Sequence, residues 1–274
     1  MNNSQFTKLT SLANIDLIGE GVTQFLDGQL SINTNSLNKD KGKLACFCNH
    51  KGRIIALFHI LSIENGVRLI LPKSTMEFAK NYILKYAVFF KVKISVNTTE
   101  LFALCCEQTF ELEQSNRIKI EQTDLLLSFA ESNFIEEDDS FWFAELMSKK
   151  IAWLGAETLE HFLPHNLNLP DLAAIDFKKG CFTGQEVIAR MQYKGKLKQH
   201  LQHLQCTESI ELTSNNKLFQ NDKSVGEVIC SVSNYGNGTG KNRTDVLALI
   251  KDSANLSKQF QTSPENSPIL GITS

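Results

Sequence analysis

The stretch KLACFCNHKGRIIALFHILSIENGVRLIL, residues 43–71, limits the possible folds more than any other part of the chain. It holds three apolar runs separated by two turn signals, Lys51-Gly52 and Asn65-Gly66. Asn-Gly between apolar runs is a strong hairpin signal, because the favoured two-residue turn needs positive φ at both central positions. The spacing predicts three antiparallel strands. Helical periodicity flanks them on both sides. GEGVTQFLDGQLS sets Val22, Phe25, Leu26 and Leu30 on one helical face, and KSTMEFAKNYILKY does the same with Met76, Ala79, Ile83 and Tyr86.

Further along, FFKVKISV alternates Val92, Ile94 and Val96 with Lys91, Lys93 and Ser95, a strand pattern, and ELFALCCE reads as another strand. From Arg117 the pattern restarts, with RIKI and DLLLSFA as short strands and the acidic run Glu136–Asp139 as a solvated loop. SFWFAELMSKKIAWLG is expected to be a helix and its exit. AETLEHFLPHNLNLPDL is expected to be a helix broken at Pro164 and Pro170. After Arg190 come short β runs, KLKQHLQHLQC, KLFQ, VGEVICSVS and DVLALI, with NYGNGTGKN expected as a hairpin tip. Such runs suggest a small antiparallel barrel or sandwich. The expected organisation is an α+β body over 1–196, with a lobe boundary near 110–117, followed by a β module over 197–274.

Composition narrows the function classes. The net charge of −2 gives no general basic field for nucleic acid, although averages hide local patches. The longest apolar run, IIALFHILSI, is about half of the roughly 20 residues that span a bilayer. The amino terminus lacks a secretory pattern, so a cytosolic protein is expected. Seven cysteines without C-x-x-C spacing argue for reduced thiols over a disulfide framework. No G-x-x-x-x-G-K-S/T, G-x-G-x-x-G or H-E-x-x-H occurs, which removes the common nucleotide and zinc-protease motifs.

One cysteine stands apart. In FKKGCFTGQEVIAR, Thr183 and Glu186 fit a capping box, with Phe182 and Val187 as the hydrophobic staple. Glu186 and Arg190 are four apart, at ion-pair spacing. A helix is therefore expected from Gly184. Gly184 is a weak helix former, and its use suggests a close backbone approach. Cys181 would lie at the positive end of this helix with Lys179 two positions back. Both features favour thiolate over a thiol that normally titrates near about 8.5. A structural cysteine beside an ordinary helix cap fits the same spacing.

KKGCFTGQE resembles the K-G-C-(Y/F)-x-G-Q-E signature of the YgfZ family, the folate-binding relatives of the glycine-cleavage T-protein. FLDGQLSINT, LACFCNHKGRI and KYAVFFKVKI are similar to further segments of that family, so the resemblance covers most of residues 15–200. It implies two interleaved α+β lobes and a C-terminal antiparallel β-barrel around a central channel. It also implies tetrahydrofolate binding, and an accessory role toward iron–sulfur enzymes, among them tRNA methylthiotransferases. The implied partners are folate and those client proteins, with no direct nucleic-acid or membrane contact. Lys179, Gly180, Cys181, Gly184, Gln185 and Glu186 match the signature, which makes Cys181 and Lys179 the candidate reactive pair. Thr183 and Arg190 would support them, and a transient iron–sulfur species could visit the thiol. Trp142 falls where relatives carry a tryptophan assigned to folate contact; core packing beside Phe141 and Phe143 explains it equally. Leu12 stands where some relatives have a second such tryptophan. The alternative function is a tetrahydrofolate-dependent aminomethyltransferase like the T-protein, and a third reading is a passive binding module.

Other constellations carry less. Cys46, Cys48 and His50 alternate, which suits one packed strand face better than the looped spacing of a metal site, and no metal is expected. Cys105 and Cys106 would face opposite sides of a strand. His161 and His165 lack a carboxylate partner in sequence. His200 and His203 lie close to Lys194, Lys196 and Lys198, a basic segment that suits phosphates or a folate polyglutamate tail but is expected to be a solvated edge.

Overall fold

A computed structural model describes residues 6–97, 99–105, 117–129, 134–135, 138–233, 243–263 and 269–272. The expected meander is present as β3 (Lys41–Cys48), β4 (Ile54–Ile63) and β5 (Gly66–Pro72), paired in that order. β2 (Leu12–Ile18) extends the sheet beside β5, and β6 (Lys93–Asn97) closes its edge.

This sheet is covered on both faces. Ile15, Leu17, Phe47, Phe58, Ile60 and Leu69 point to a core completed by α1 (Val22–Asp27) and α2 (Lys73–Ala87). Leu12, Leu44, Cys46, Cys48, Leu57 and Ile70 point to a second, larger core. Asn14 and Asp16 share that second face. Asp16 is held by Arg68 at 2.7 and 2.8 Å and by the Asn97 amide at 2.7 Å. Pairing is what allows a nearly fully buried carboxylate. Ala13, Ile15 and Leu17 alternate with Asn14 and Asp16, a strand signal, but one that reads as a strand with a solvated polar face, whereas both faces of β2 are buried.

A second run of strands begins with β1 (Phe6–Leu9), which joins β7 (Leu101–Cys105) and β10 (Phe134–Ile135) and not its chain neighbour β2. β9 (Leu125–Ser128) and β8 (Arg117–Ile120) follow, and β8 meets β3 in a short parallel pairing that links the two runs. The lobe boundary expected near 110–117 falls largely outside the described residues, as do Cys106, Glu136, Glu137 and the NYGNGTGKN hairpin tip.

α3 (Ser140–Ser148) and α4 (Gln185–Lys194) complete the helices. The long broken helix expected over 156–172 is not formed. Only 3₁₀ turns appear, at Ala156–Thr158 and Pro164–Leu167, with positive φ at Glu160, Asn168 and Ala173. Pro164 and Pro170 remove two amide donors, and the left-handed residues end each turn before it propagates.

The C-terminal strands form a closed six-stranded barrel: β11 (Gln199–Cys206), β14 (Thr244–Lys251), β13 (Lys223–Ser233), β12 (Lys217–Gln220), β15 (Phe260–Gln261) and β16 (Ile269–Ile272). Its interior holds Leu204, Val228, Val246, Ala248 and Phe260, while Leu201, Ile229, Cys230, Leu247 and Leu249 on its outer wall join the larger core with α3. The barrel is thus packed against the body by hydrocarbon. Among the described residues no helix is long and apolar enough to cross a membrane.

Candidate functional site

Three segments singled out from sequence meet at the start of α4. The chain around Gly28-Gln29, the turn Asn49–Arg53 and the loop Asp176–Gly184 are far apart in sequence and joined by hydrogen bonds. The Asp176 amide donates to Ser31 O at 2.9 Å, and the Thr183 amide donates to Gly28 O at 3.0 Å. Ser31 Oγ donates to Ala174 O at 2.7 Å and accepts from the Cys46 amide at 2.9 Å. Tyr82 of α2 donates to Gln29 Oε1 at 2.6 Å.

Thr183 does not cap α4. Its hydroxyl donates to Gln29 Oε1 at 3.1 Å, and the cap position is Gly184 at φ +86°, with no side-chain bond to the helix. The staple is absent as well: Phe182 is buried in the large core while Val187 is exposed against Gly52. No ion pair joins Glu186 and Arg190 among the described residues, both being exposed. The local capping signals lose to tertiary contacts, because Thr183 has a better-placed acceptor 154 residues away.

The close approach expected at Gly184 is that of the Asn49–Arg53 turn. A Cβ on Gly184 would stand 2.5 Å from Asn49 O and 3.0 Å from Gly52 Cα. Gly52 itself has φ +72° and lies against Val187 and Ile188. The turn is built by Asn49, whose side-chain oxygen accepts from the Lys51 and Arg53 amides at 2.9 and 3.0 Å. Arg53 donates to His161 O, tying the turn to the following segment. Nothing within 4 Å of Gly180 demands a glycine there.

Cys181 projects from this loop into solvent. Cys46, Cys48, Cys206 and Cys230 are all buried. Cys46 and Cys48 touch through their sulfurs at 3.7 Å. The hydrogen bond shared with Cys46, with burial, holds Cys48 well above the usual thiol range, and burial pushes Cys230 up to about 12. Inward thiols of this kind are poor nucleophiles. β3 ends at Cys48 and His50 is exposed in the turn, so the C-x-C-x-H set does not converge; no cluster of metal-ligating residues occurs among the described residues.

Lys179 is half-buried, with its ammonium donating to Asp27 O and Leu30 O, both at 2.8 Å, and lying 5.0 Å over the Phe182 ring. It caps the carboxyl end of α1 and is not turned solely to Cys181. Burial lowers its pKa, while Asp27, Asp176 and Cys181 pull it back up. The charge is thus fixed in place beside the thiol by backbone carbonyls, at the negative end of a short helix.

Trp142 lies elsewhere, in the large core. It is 1% exposed and meets the His59 ring edge-on at 6.1 Å. A crevice there, lined by Leu12, His59, Trp142, Phe143 and Trp153 among others, has about 20 Å³ of free volume, room for one water. Leu12 and Trp142, distant in sequence, therefore share one wall. The lining holds no carboxylate. His59 Nε2 is buried without a hydrogen-bond partner, and burial lowers the imidazole to about 4. The aromatic rings and an unpaired ring nitrogen suit a pterin; the free volume does not, unless α3 or the segment after it shifts. A larger groove of about 480 Å³ between α1 and the β4–β5 turn brings no cysteine or histidine to its wall.

The histidines that are close in sequence differ in burial. His161 is exposed, whereas His165 is buried with Nε2 3.1 Å from Gln192 Oε1. His200 pairs with Asp252 at the surface, 3.1 Å away. His203 is buried 2.5 Å from Asp245, which also accepts from Gln205 and Arg243. Asp245 could not be found from sequence, since its partner lies 42 residues earlier on another strand.

No family model matches the chain. It is 28% identical to the tRNA-modifying protein YgfZ of Vibrio atlanticus, over 81% of this chain and 75% of that protein. Two further proteins of that description, from Colwellia psychrerythraea and Aliivibrio fischeri, are 28% and 25% identical, over 71% and 82% of this chain and 69% and 77% of theirs. The fold is similar to that of the glycine cleavage system aminomethyltransferase T from Bartonella henselae, with a TM-score of 0.64 at 14% identity, over 98% of this chain and 84% of the other. At that identity the likeness is one of fold.

Proposed function

We propose, from the similarity of this chain to the YgfZ tRNA-modifying proteins, that it is a folate-binding accessory factor for iron–sulfur enzymes that act on tRNA. Cys181 is its working thiol. The body would be two interleaved lobes, β1 exchanging into the second, with the barrel closing a central channel. The carrying observation is the exposure of Cys181 on a loop braced from three directions, while the other cysteines with described side chains face inward. The bracing keeps the sulfur in place without enclosing it. Lys179 holds positive charge nearby, and Gly184 lets the turn at Asn49 seat beneath the loop. Gln185 and Glu186 begin the helix that carries the loop. Such a thiol can attack, exchange or transiently ligate a soft metal.

The expected result is that Cys181→Ala, at wild-type abundance, fails to restore iron–sulfur-dependent tRNA methylthiolation in a strain lacking the gene. Full restoration would reduce the thiol to a structural detail. Mass-spectrometric quantification of methylthiolated nucleosides supplies the readout.

Folate would be held by the Trp142–His59 crevice, with a planar ring against the indole and a donor facing His59 Nε2. Binding therefore requires the crevice to open. Titration with tetrahydrofolate is expected to change tryptophan fluorescence, and Trp142→Phe to remove most of that change while Trp153 still reports. Saturating tetrahydrofolate without any change would count against this site.

The aminomethyltransferase reading draws on fold alone. A carboxylate to move the proton during one-carbon transfer is absent from the crevice lining, and His59, neutral near pH 7, is its only titrating group.

A further inference from the structure

α4 ends in a row of cations. Arg190, Lys194, Lys196 and Lys198 are exposed, and among the described residues none makes an ion pair; the same is true of Lys178 on the loop before the helix. Residues 177–200 carry six cations and one carboxylate, Glu186, in a chain whose net charge is −2. Lys179 is the one cation of the six engaged, by the carbonyls of α1. The nearby Asp252 is answered by His200. Within the row stands Tyr193, 73% exposed, its ring 6.1 Å from that of half-buried Phe177. From Gly195, whose backbone is extended, the chain leaves the helix and enters β11 at Gln199.

A helix C-terminus favours positive charge. That accounts for Lys194 but not for Lys196, Lys198 or an exposed aromatic among them. A track of point charges with a planar ring steadied by a second ring is how proteins hold single-stranded nucleic acid, phosphates on the cations and a base on the ring. A protein partner would use a cluster of exposed apolar side chains, and the most exposed such cluster lies elsewhere, at Phe78, Leu84, Val88 and Phe89 on and after α2, with only Val187 beside Tyr193 on α4.

We propose that Lys194, Lys196 and Lys198 form an RNA-binding surface on which Tyr193 stacks an unpaired base. The overall charge hides this row, so the proposal replaces the expectation of no direct nucleic-acid contact. α4 has ten residues and is about 15 Å long, which places bound RNA within one helix length of the Cys181 loop. The surface does not depend on what the thiol does.

The test uses the full chain, a fluorescein-labelled single-stranded RNA and bulk tRNA as probes, and heparin as a polyanion without bases. Three phosphate contacts predict an RNA affinity that falls about 20-fold between 50 and 200 mM salt. Lys194→Glu, Lys196→Glu and Lys198→Glu together should weaken RNA and heparin by about tenfold or more, whereas the same reversal at Lys73, Lys85 and Lys93 should change both by less than about threefold. Tyr193→Ala should cost RNA roughly tenfold and leave heparin unchanged, and Tyr193→Phe should bind like wild type. All these residues are exposed, and an unchanged melting curve checks folding. Absence of RNA binding at 50 mM salt, equal loss from both charge reversals, or equal loss of RNA and heparin in Tyr193→Ala overturns the proposal. Cys181→Ala should bind RNA normally, so failure here is separable from failure of the thiol reading.

Discussion

Gly184→Ala is expected to destabilise the protein by roughly 3 kcal/mol or more, from a left-handed backbone and a steric clash acting together. The φ of +86° is one that L side chains rarely adopt, and the new methyl would stand 2.5 Å from Asn49 O. Neither obstacle is a flexible side-chain end. Asn49 O accepts from the Gly52 amide at 2.8 Å, so it cannot retreat without opening the turn, and Gly52 in turn rests on Val187 and Ile188. Urea unfolding should show a lower midpoint at unchanged slope. Gly180→Ala, four residues earlier with open space around it, should sit close to wild type. Equal midpoints for the two variants would mean that turn and helix do not interlock as described.

Acid should weaken the fold through His59. Burial lowers its pKa from 6.5 to about 4, so the unfolded chain binds a proton that the folded chain refuses. Stability therefore rises with pH across this window and is lost as pH falls from about 6.5 toward 4. The difference corresponds to about 3 kcal/mol at full effect. No carboxylate lines the crevice to pair with the cation. His165, whose pKa is also lowered by burial, adds to the loss in the same direction. His59→Leu should remove most of the slope between pH 6.5 and 4 while leaving the part due to His165. An unchanged slope in that variant would place the acid sensitivity elsewhere.

Both predictions concern residues whose importance is unevenly visible in sequence. Gly184 could be suspected, because a glycine at the start of an otherwise well-signalled helix needs a reason. The reason itself, the Asn49 carbonyl, could not be read. His59 sits in an apolar strand where a histidine on a packed face and a ligand-binding histidine look alike. Its isolation follows from Leu44 and Ile70 across the strands and Trp142 on a helix over 80 residues away. β2 is legible as a strand from its alternation, but not as one buried on both faces. Its polar residues face inward, where Arg68 and Asn97 answer Asp16, and Thr99 accepts from Asn14.

Local order was settled by the sequence itself. The meander, α2, the alternation of the barrel strands and the unusual character of the Cys181 loop all follow from neighbours within a few residues, where periodicity and turn chemistry operate. Only the tertiary structure decided that Thr183 bonds to Gln29 instead of its own helix, that Trp142 closes a crevice, and that Cys181 alone of the described thiols meets solvent. Those outcomes depend on burial and on partners 80 to more than 150 residues distant. A long-range contact that satisfies a polar group away from water outweighs a local bond that water can replace.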